Sequence, residues 1–567
     1  MAKDYSKLEK EDLLKAIEKL ESRKKYGLIW DEERTKEQFE KEAENALPVL
    51  KEIKGKEIAT DSSKPTNILI EGDNYHALSV LNYTHAGKID VIYADPPYNT
   101  GNKSWRYNND YVDLDDSFRH SKWLSFMSKR LRLARALLKE DGFFVLTIDD
   151  YELFPIGLLL DEIFGEQNRV GILAIEINPR GRTTNKFFAT SHEYILFYAK
   201  NAETAELKNM PLTDEQAAVF KFEDDISRYR LLPFRRSGGL STPEERPNSH
   251  YPIYYNEENG YIGIENIPGC VEIIPIDSSG KKRVWRQTRP SLMLAVARGD
   301  MVIKKTKNGY TVLMKDRIKD GRKPKTIWID PMFDASSHGT VLLQKILGKR
   351  KAFDYPKSLH AVIKPLELLL QHKKDAVVLD FFAGSGTTGH AILELNKDGG
   401  HRSFILTTNN ENGICVDVCY PRVKNVMAGY KTEKGSKVEG LGGNLKYFKT
   451  EFVKKSVNRD ELKIRVAREC TEMLCLREGI FDELASSDDY RIFRQNDRLM
   501  AVYYSIERAA LKSLKKELDK LDGEKLLYCF TLDPLGLDKD DFSMWSGVRL
   551  DPIPQKILDI YQEIYEY

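Results

Sequence analysis

One short segment combines groups that suit an aromatic amine. Asp95 to Tyr98 (Asp-Pro-Pro-Tyr) directly follows an apolar run. The two prolines fix the backbone and remove two N–H donors, so carbonyls in the turn are available as acceptors. Asp95 adds a carboxylate acceptor and Tyr98 a flat ring, whereas an aromatic NH₂ group offers two donors and a ring that stacks. Accepting both amine hydrogens would direct the nitrogen lone pair at an electrophile. The alternative interpretation is a structural turn in which Asp95 caps a helix.

A second segment is suited to a small ligand with a carboxylate. Asp380 to Thr388 (DFFAGSGTT) follows another apolar run and precedes a helical pattern. Gly384 and Gly386 permit a tight turn in which a ligand can approach backbone N–H groups. The N-terminus of the next helix favours a negative group. No Gly-Lys-Ser/Thr follows, and the glycine spacing differs from that of dinucleotide-binding folds, which disfavours a pyrophosphate ligand.

Strands and helices alternate around both segments. Short apolar runs predict strands at 67–70, 89–94, 142–148, 170–177, 193–199, 376–380 and 403–407, and helical patterns occur at 75–86, 119–139, 153–164 and 360–372. This alternation predicts an α/β fold with a doubly wound, Rossmann-like parallel sheet that helices cover on both faces. Because such sheets bind ligands outside the carboxyl ends of their strands, both segments lie where a site is expected.

The chain divides into five predicted regions. They are a charged helical segment at 1–60, a first α/β half at 61–200, an inserted mixed domain at 201–350, a second α/β half at 351–450 and a C-terminal domain at 451–567. The insertion is rich in Pro, Gly and aromatic residues and breaks the α/β alternation, whereas the C-terminal domain carries no chemical motif.

Composition limits the classes of function. The net charge of the 567 residues is +1, so a nucleic-acid-binding surface must be local rather than global. No run of 18 apolar residues and no apolar signal core occurs, which predicts a cytoplasmic protein without membrane contact. Cys415 and Cys419 lack a second Cys/His pair with zinc-like spacing, so we expect no metal site.

Taken together, the motifs resemble those of the β-class amino-methyltransferases of DNA, and within these the modification (Mod) subunits of type III restriction-modification systems. The resemblance covers roughly residues 25–450. It rests on Gly72-Asp73-Asn74, DPPYNTG (95–101), Ser191 to Ile195, Tyr355 to Ser358 with Lys364-Pro365, FFAGSGTTGHA (381–391) and Thr408 to Glu411. The DPPY segment precedes the glycine-rich segment, an order that defines the β class and corresponds to a circular permutation. The resemblance implies a circularly permuted methyltransferase fold with a target-recognition domain at 201–350 and an assembly domain at 451–567.

The resemblance also implies a reaction and its residues. The cofactor would be S-adenosyl-L-methionine, and the acceptor would be the N6 amine of adenine in DNA. The implied cofactor-binding residues are Asp73, Asn74, Asp380, Phe382, Ala383, Gly384, Ser385, Gly386, Thr387, Asn409 and Glu411, and the implied catalytic residues are Asp95, Pro96, Pro97 and Tyr98. Asp95 and the Pro96 carbonyl would accept from the amine while Tyr98 stacks on the flipped base. Asp73 also suits a helix N-cap. Cytosine N4 stays an alternative, because DPPY and SPPY differ only statistically between the two enzyme types.

A basic segment is the predicted DNA-reading surface. Residues 281–325 contain 15 Lys or Arg and 3 Asp, and they lie where the family places its target-recognition domain. The predicted DNA-binding residues are Lys281, Lys282, Arg283, Arg286 and Arg289, with Arg180 and Arg182 on a loop near the catalytic segment. A solvated charged face is the alternative interpretation.

The resemblance implies double-stranded DNA, a second copy of the chain and a helicase–nuclease restriction subunit as partners. Three further alternatives stay open. The first is a solitary methyltransferase without a restriction partner. The second is an enzyme that methylates an amine in RNA or protein, and the third is a DNA-binding subunit with an inactive methyltransferase fold.

Overall fold

The structure, a computed structural model, describes residues 28–30, 45–101, 106–107, 110–111, 116–181, 186–307, 309–433, 435–533, 536–537 and 542–565. The chain forms two compact units, the first from residues 1–207 and 325–567 and the second from residues 208–324. The second unit is shorter than the insertion predicted at 201–350. Residues 325–350 belong to the first unit because Ile327–Trp328 pairs with its main sheet and the Trp328 side chain is buried there.

The first unit contains an eleven-stranded main sheet. Its strands are β1 Ala46–Glu52, β2 Ile58–Ala59, β3 Thr66–Glu71, β4 Ile89–Ala94, β5 Leu138–Ile148, β6 Arg169–Glu176, β7 His192–Ala199, β8 Ile327–Trp328, β9 Val377–Asp380, β10 Ser403–Thr408 and β11 Asn444–Lys454. The spatial order is β1-β11-β3-β10-β9-β4-β5-β7-β6-β8, with β2 beside β11. Two-stranded pairs form from Arg106–Tyr107 with Asp110–Tyr111 and from Gly429–Lys431 with Lys437–Glu439.

The main sheet is mixed, which differs from the fully parallel sheet that the alternation predicts. The six central strands from β11 to β5 are parallel, whereas β7 runs antiparallel to both β5 and β6, and β1 is antiparallel to β11. All six residues of β4 are buried. Because side chains alternate between the faces of a strand, both faces of the sheet are covered there.

A helix lies at each of the four positions predicted in the first unit, 75–86, 119–139, 153–164 and 360–372. The described part of this unit contains eleven helices in all. They are α1 Asn74–Thr84, α2 Arg119–Leu137, α3 Leu153–Phe164, α4 Leu342–Leu347, α5 Leu359–Leu370, α6 Thr387–Leu395, α7 Tyr420–Ala428, α8 Arg459–Glu469, α9 Thr471–Glu478, α10 Leu511–Asp519 and α11 Gln555–Tyr565. Short 3₁₀ or π-type turns occur at Lys54–Lys56, Glu166–Asn168, Pro331–Phe333, Ser336–Val341, Asn396–Asp398, Glu411–Gly413 and Ile414–Cys419. Of the helices in the described ranges, none has both the length and the apolar character required to cross a membrane.

The N-terminal region differs from its prediction, and the C-terminal region belongs to the first unit. Residues 46–52 lie within the segment predicted to be helical (1–60) but form the edge strand β1. Pairing with β11 buries the central residues of this strand. Residues 1–27 and 31–44 of that segment lie outside the described residues. The C-terminal strands β12 Asp482–Ser486, β13 Tyr490–Gln495, β14 Arg498–Tyr503, β15 Glu524–Phe530 and β16 Val548–Ile553 form one sheet in chain order. Val466 and Phe493 share the main core, so this region packs as part of the first unit.

The second unit is a mixed α/β module. One sheet contains Phe222–Glu223, Arg228–Pro233, Gly309–Arg317 and Met301–Thr306, and another contains Ile262–Gly263, Ile253–Tyr255 and Val271–Ile273. Its helices are Asp214–Ala217 and Arg289–Ala297, with a short turn at Pro247–Ser249. Phe234 stacks on Trp285 in its core.

Candidate active site

The two chemical segments leave the main sheet side by side. β4 and β9 are neighbouring parallel strands, with Val91 opposite Val378 and Ile92 opposite Leu379. Asp95 follows β4, and the glycine-rich turn follows β9, so both lie at the same carboxyl-end edge. This edge is where open α/β sheets bind ligands. Segments far apart in the sequence therefore form one site.

A lysine joins three side chains at the DPPY segment. The Lys357 ammonium lies 3.1 Å from Asp95 Oδ1, 2.9 Å from Glu193 Oε2 and 2.5 Å from the Tyr98 hydroxyl. Its three N–H donors thus match three acceptors. Burial favours the neutral amine, but the charges of Asp95 and Glu193 outweigh burial and raise the pKa of Lys357. Lys357 is therefore a cation at neutral pH.

Asp95 and Tyr98 are held in defined orientations. Thr147 Oγ1, at the end of β5, donates to Asp95 Oδ1 at 2.6 Å. The Tyr98 hydroxyl donates to Glu193 at 3.0 Å, and the Lys357 ammonium lies 4.3 Å from the centre of the Tyr98 ring. The ring that the sequence assigns to stacking on a base thus already has a cation on it.

Side chains in α2 and just before α3 form hydrogen bonds around the DPPY turn. Trp123 Nε1, in α2, donates to the Pro97 carbonyl at 2.7 Å, which occupies one of the two lone pairs of this oxygen. Asn99 is fully buried with a φ of +57° and donates to Glu152 Oε1, which also contacts His120 Nδ1 at 2.6 Å. Asn tolerates this left-handed conformation better than most residues. The role of the Pro96 carbonyl stays a prediction.

The glycine-rich turn is closed by Asp380. Its Oδ1 accepts from the Phe382 N–H at 2.9 Å and its Oδ2 from Thr388 Oγ1 at 2.5 Å. Burial raises the pKa of Asp380 to about 7. The predicted cofactor ligand Asp380 therefore acts in the structure as a brace within the turn, which leaves the neighbouring backbone and hydroxyl groups to meet a ligand.

Both glycines of the turn adopt left-handed conformations. Gly384 has a φ of +48° and Gly386 of +76°. A Cβ at Gly386 would lie 3.1 Å from Cys419 Sγ, so a side chain is disfavoured by both conformation and contact. α6 begins at Thr387, directly after the turn, and the positive end of its backbone dipole therefore faces the turn.

The Gly72-Asp73-Asn74 turn is tied to the glycine-rich turn. Asn74 Nδ2 donates to the Phe381 carbonyl at 2.9 Å, and the Arg130 guanidinium donates to Asn74 Oδ1 at 2.5 Å. Asp73 caps α1 by accepting from the Tyr75 N–H at 2.7 Å and also lies 3.3 Å from Arg130. The N-cap interpretation of Asp73 is therefore correct. Its side chain is 41% exposed, which leaves room for its predicted contact with the cofactor.

The predicted ribose-binding residues lie at the same edge, after β10. Asn409 Oδ1 accepts from the Glu411 N–H at 3.3 Å, Asn409 is exposed and Glu411 is half-buried. Another acidic residue, Glu71 at the end of β3, is buried and accepts from the Tyr447 hydroxyl at 2.6 Å. Glu411 is thus better exposed to a ligand than Glu71, and its role stays a prediction.

Three of the five predicted DNA-binding residues in the second unit have partners inside that unit. Arg283 pairs with Asp277 at 2.8 Å, Arg286 Nε donates to the Pro233 carbonyl, and Arg289 lies 5.4 Å from the centre of the Tyr251 ring. Lys281 and Lys282 are exposed, as is Arg180 of the first unit, whereas Arg182 lies outside the described residues. The positive charge available to a partner is therefore smaller than the count of Lys and Arg indicates.

Several site residues were not predicted individually. They are Lys357, Glu193, Thr147, Trp123 and Arg130. Lys357 and Glu193 belong to segments that carry the family resemblance, and Glu193 is the second residue of the largely apolar strand β7. A charged residue in an apolar segment requires a buried partner, which is the signal that identifies such residues.

Comparison with known proteins identifies the family. A family model described as DNA methylase matches residues 89–418. The type II methyltransferase M.KpnI of Klebsiella pneumoniae is 33% identical over 67% of this chain and 90% of its own length. The EcoPI Mod subunit of Escherichia phage P1, a type III restriction-modification enzyme, is 32% identical over 70% of this chain and 66% of its own length. The solved PvuII DNA methyltransferase (cytosine-N4-specific) aligns with a TM-score of 0.32 at 11% identity, over 64% of this chain and 89% of that one. The match to the DNA methylase model and to M.KpnI shows that the chain belongs to the DNA methylase family.

Proposed function

We propose that the chain transfers a methyl group from S-adenosyl-L-methionine to the N6 amine of an adenine flipped out of double-stranded DNA. The observation that carries this proposal is the position of the DPPY segment and the glycine-rich turn on the neighbouring parallel strands β4 and β9. A donor held at one segment and an amine held at the other would meet at the same edge of the sheet.

The residues at the glycine-rich turn fit the amino-acid end of the donor. The left-handed conformations of Gly384 and Gly386 form a tight turn at the N-terminus of α6, and this helix end favours a carboxylate. When bound, the cofactor supplies a methyl group already activated by its sulfonium. Asn409 and Glu411 are the proposed ribose contacts, and Asp73 is the proposed contact for its adenine.

Asp95 is the proposed acceptor for the target amine. Thr147 and Lys357 both contact its Oδ1, which fixes the carboxylate and directs Oδ2 to the substrate. The Pro96 carbonyl would accept the second amine hydrogen. Holding both hydrogens favours a tetrahedral nitrogen chiefly in the transition state, so these contacts raise the rate.

The proposal extends to partners. M.KpnI is named a type II methyltransferase, and EcoPI Mod a subunit of a type III restriction-modification enzyme. We propose that this chain is the modification component of such a system, acts as a homodimer and binds a restriction subunit. Multi-angle light scattering of the purified chain tests the dimer, and affinity purification of the tagged chain from its own cells, with mass spectrometry of the proteins bound to it, tests for a restriction subunit.

The reaction is tested by expressing the chain in bacteria without endogenous DNA methylation. Digested DNA is analysed by mass spectrometry for modified nucleosides, and long-read sequencing locates each modified base. We expect N6-methyladenine with the wild type and none with Asp95→Ala. If N4-methylcytosine were found instead, the acceptor would be cytosine and not adenine. Unmodified DNA despite measurable donor binding would favour an inactive DNA-binding subunit.

A further inference from the structure

A fully buried arginine lies behind the glycine-rich turn. Arg422, in α7, has no exposed surface. Its Nη1 donates to Thr387 Oγ1 at 2.7 Å, to Ser385 Oγ at 3.1 Å and, less favourably, to the Ser385 carbonyl at 3.4 Å. The guanidinium therefore contacts the turn from the protein interior and cannot itself reach solvent.

The charge of Arg422 is not neutralised within the described part of the chain. No Asp or Glu there forms an ion pair with it, and neither its Nε nor its Nη2 has a hydrogen-bond acceptor. Burial lowers the pKa of Arg422 to about 10, which keeps it charged at neutral pH. By contrast, the equally buried Arg402 pairs with Asp398 at 2.9 Å. A buried cation without a counter-ion is unfavourable, so an anion that binds nearby is stabilised.

The two hydroxyls of the turn can carry this effect to its outer side. A guanidinium only donates, so Ser385 Oγ and Thr387 Oγ1 must accept from it, and their own hydrogens point elsewhere. The two oxygens lie 3.2 Å apart, so one hydroxyl can donate to the other while the second donates outward. Together with the N-terminus of α6, this hydroxyl favours a negative group on the turn.

We propose that Arg422 is a positioning residue for the carboxylate of S-adenosyl-L-methionine and acts through the hydroxyls of Ser385 and Thr387. The inference rests on the proposed placement of the donor at the glycine-rich turn. In this proposal the guanidinium of Arg422 is the buried positive charge that balances the negative charge of the donor carboxylate.

The test compares donors with and without the carboxylate. Dissociation constants are measured by calorimetry for S-adenosyl-L-methionine, S-adenosylhomocysteine and decarboxylated S-adenosylmethionine with wild type and Arg422→Met. We expect about 10- to 100-fold weaker binding of the two carboxylate-bearing ligands and less than about threefold change for the decarboxylated one. Arg402→Met is the matched control, because it removes an equally buried guanidinium whose charge is already paired. Its losses should not depend on the carboxylate.

Thr387→Val provides a second variant that keeps the shape of the turn if Arg422→Met fails to fold. It should also weaken the carboxylate-bearing ligands selectively, by about three- to tenfold for one lost hydrogen bond. Equal losses for all three ligands, or no loss in a folded variant, would overturn the proposal. These assays contain no DNA, so a failure to methylate adenine would leave their outcome unaffected and the two proposals can be judged separately.

Discussion

The Lys357 ammonium lies 3.1 Å from the Asp95 carboxylate. This contact joins the segment before α5 to the loop after β4, so it depends on the two halves of the methyltransferase fold coming together. The same ammonium lies 2.9 Å from Glu193 at the start of β7. Two carboxylates surround one ammonium in this cluster, an arrangement that suits the proposed binding of a cationic donor nearby.

Replacing Lys357 should reduce the rate of methyl transfer more than donor binding. Lys357→Met removes a contact that orients Asp95, and a misplaced acceptor costs about 100-fold in turnover. We expect kcat to fall by about that factor while the donor dissociation constant, measured by calorimetry, changes less than about threefold. Lys349→Met is the control, because Lys349 is exposed. An unchanged kcat together with weakened donor binding would contradict this role.

Two variants of Tyr98 separate its ring from its hydroxyl. Tyr98→Phe removes the hydrogen bond to Glu193 but keeps the ring, whereas Tyr98→Ala removes both. If the ring stacks on the flipped base, Tyr98→Ala should weaken DNA binding by about 1–3 kcal/mol and Tyr98→Phe much less. Fluorescence of 2-aminopurine at the target position reports flipping directly. Equal loss with both variants would assign the effect to the hydroxyl instead.

The strands and helices near the site were predictable because burial leaves a local pattern. β4 appears as an apolar run, and α3 shows apolar residues at helical spacing, so both occur at their predicted positions. The antiparallel direction of β7 was not predictable, because a strand buried on both faces has the same composition in either direction. Edge strand β1 was predicted as helix because its pairing with β11 involves residues far along the chain.

The candidate site was predictable only in its motifs. Asp95 and Gly386 are recognised from the residues around them. The contacts of Lys357 with Asp95 and of Arg422 with Thr387 depend on packing between distant segments. Charged side chains within apolar surroundings were the only local sign of these contacts, and such a sign does not identify the partner.

Variants of Asp73 distinguish its capping role from its proposed contact with the donor. Serine also caps helices, so Asp73→Ser should change the free energy of unfolding by less than about 0.5 kcal/mol, whereas Asp73→Ala should cost about 1 kcal/mol. If Asp73 contacts the donor, both variants should bind S-adenosyl-L-methionine about tenfold more weakly. Urea unfolding and calorimetry measure the two effects. If Asp73→Ser bound the donor with wild-type affinity, capping of α1 would be the only role left for Asp73.

The stability of the fold should depend on the ionisation of Asp380. Burial raises its pKa to about 7, so the folded state holds a proton that the unfolded chain releases near pH 4. The extra proton bound by the folded state stabilises the fold fully below pH 4. This stabilisation is lost as the pH rises to about 7, by up to about 1.4 kcal/mol for each pH unit. Asp380→Asn cannot ionise and should gain stability relative to wild type over that range. If the unfolding free energies of wild type and Asp380→Asn changed with pH in the same way, the raised pKa of Asp380 would be contradicted.

Salt dependence of DNA binding should separate exposed from paired basic residues in the second unit. Lys281 and Lys282 are exposed, whereas Arg283 pairs with Asp277 and also donates to Ser241 Oγ at 3.0 Å. If the two lysines contact phosphates, Lys281→Ala/Lys282→Ala should reduce the slope of log K against log salt by about 2. Arg283→Ala should instead lower the thermal stability with a smaller change in slope, because its charge is already neutralised. Fluorescence anisotropy at several salt concentrations measures the slopes. A larger change for Arg283→Ala than for the lysine pair would show that the Asp277 pair opens when DNA binds.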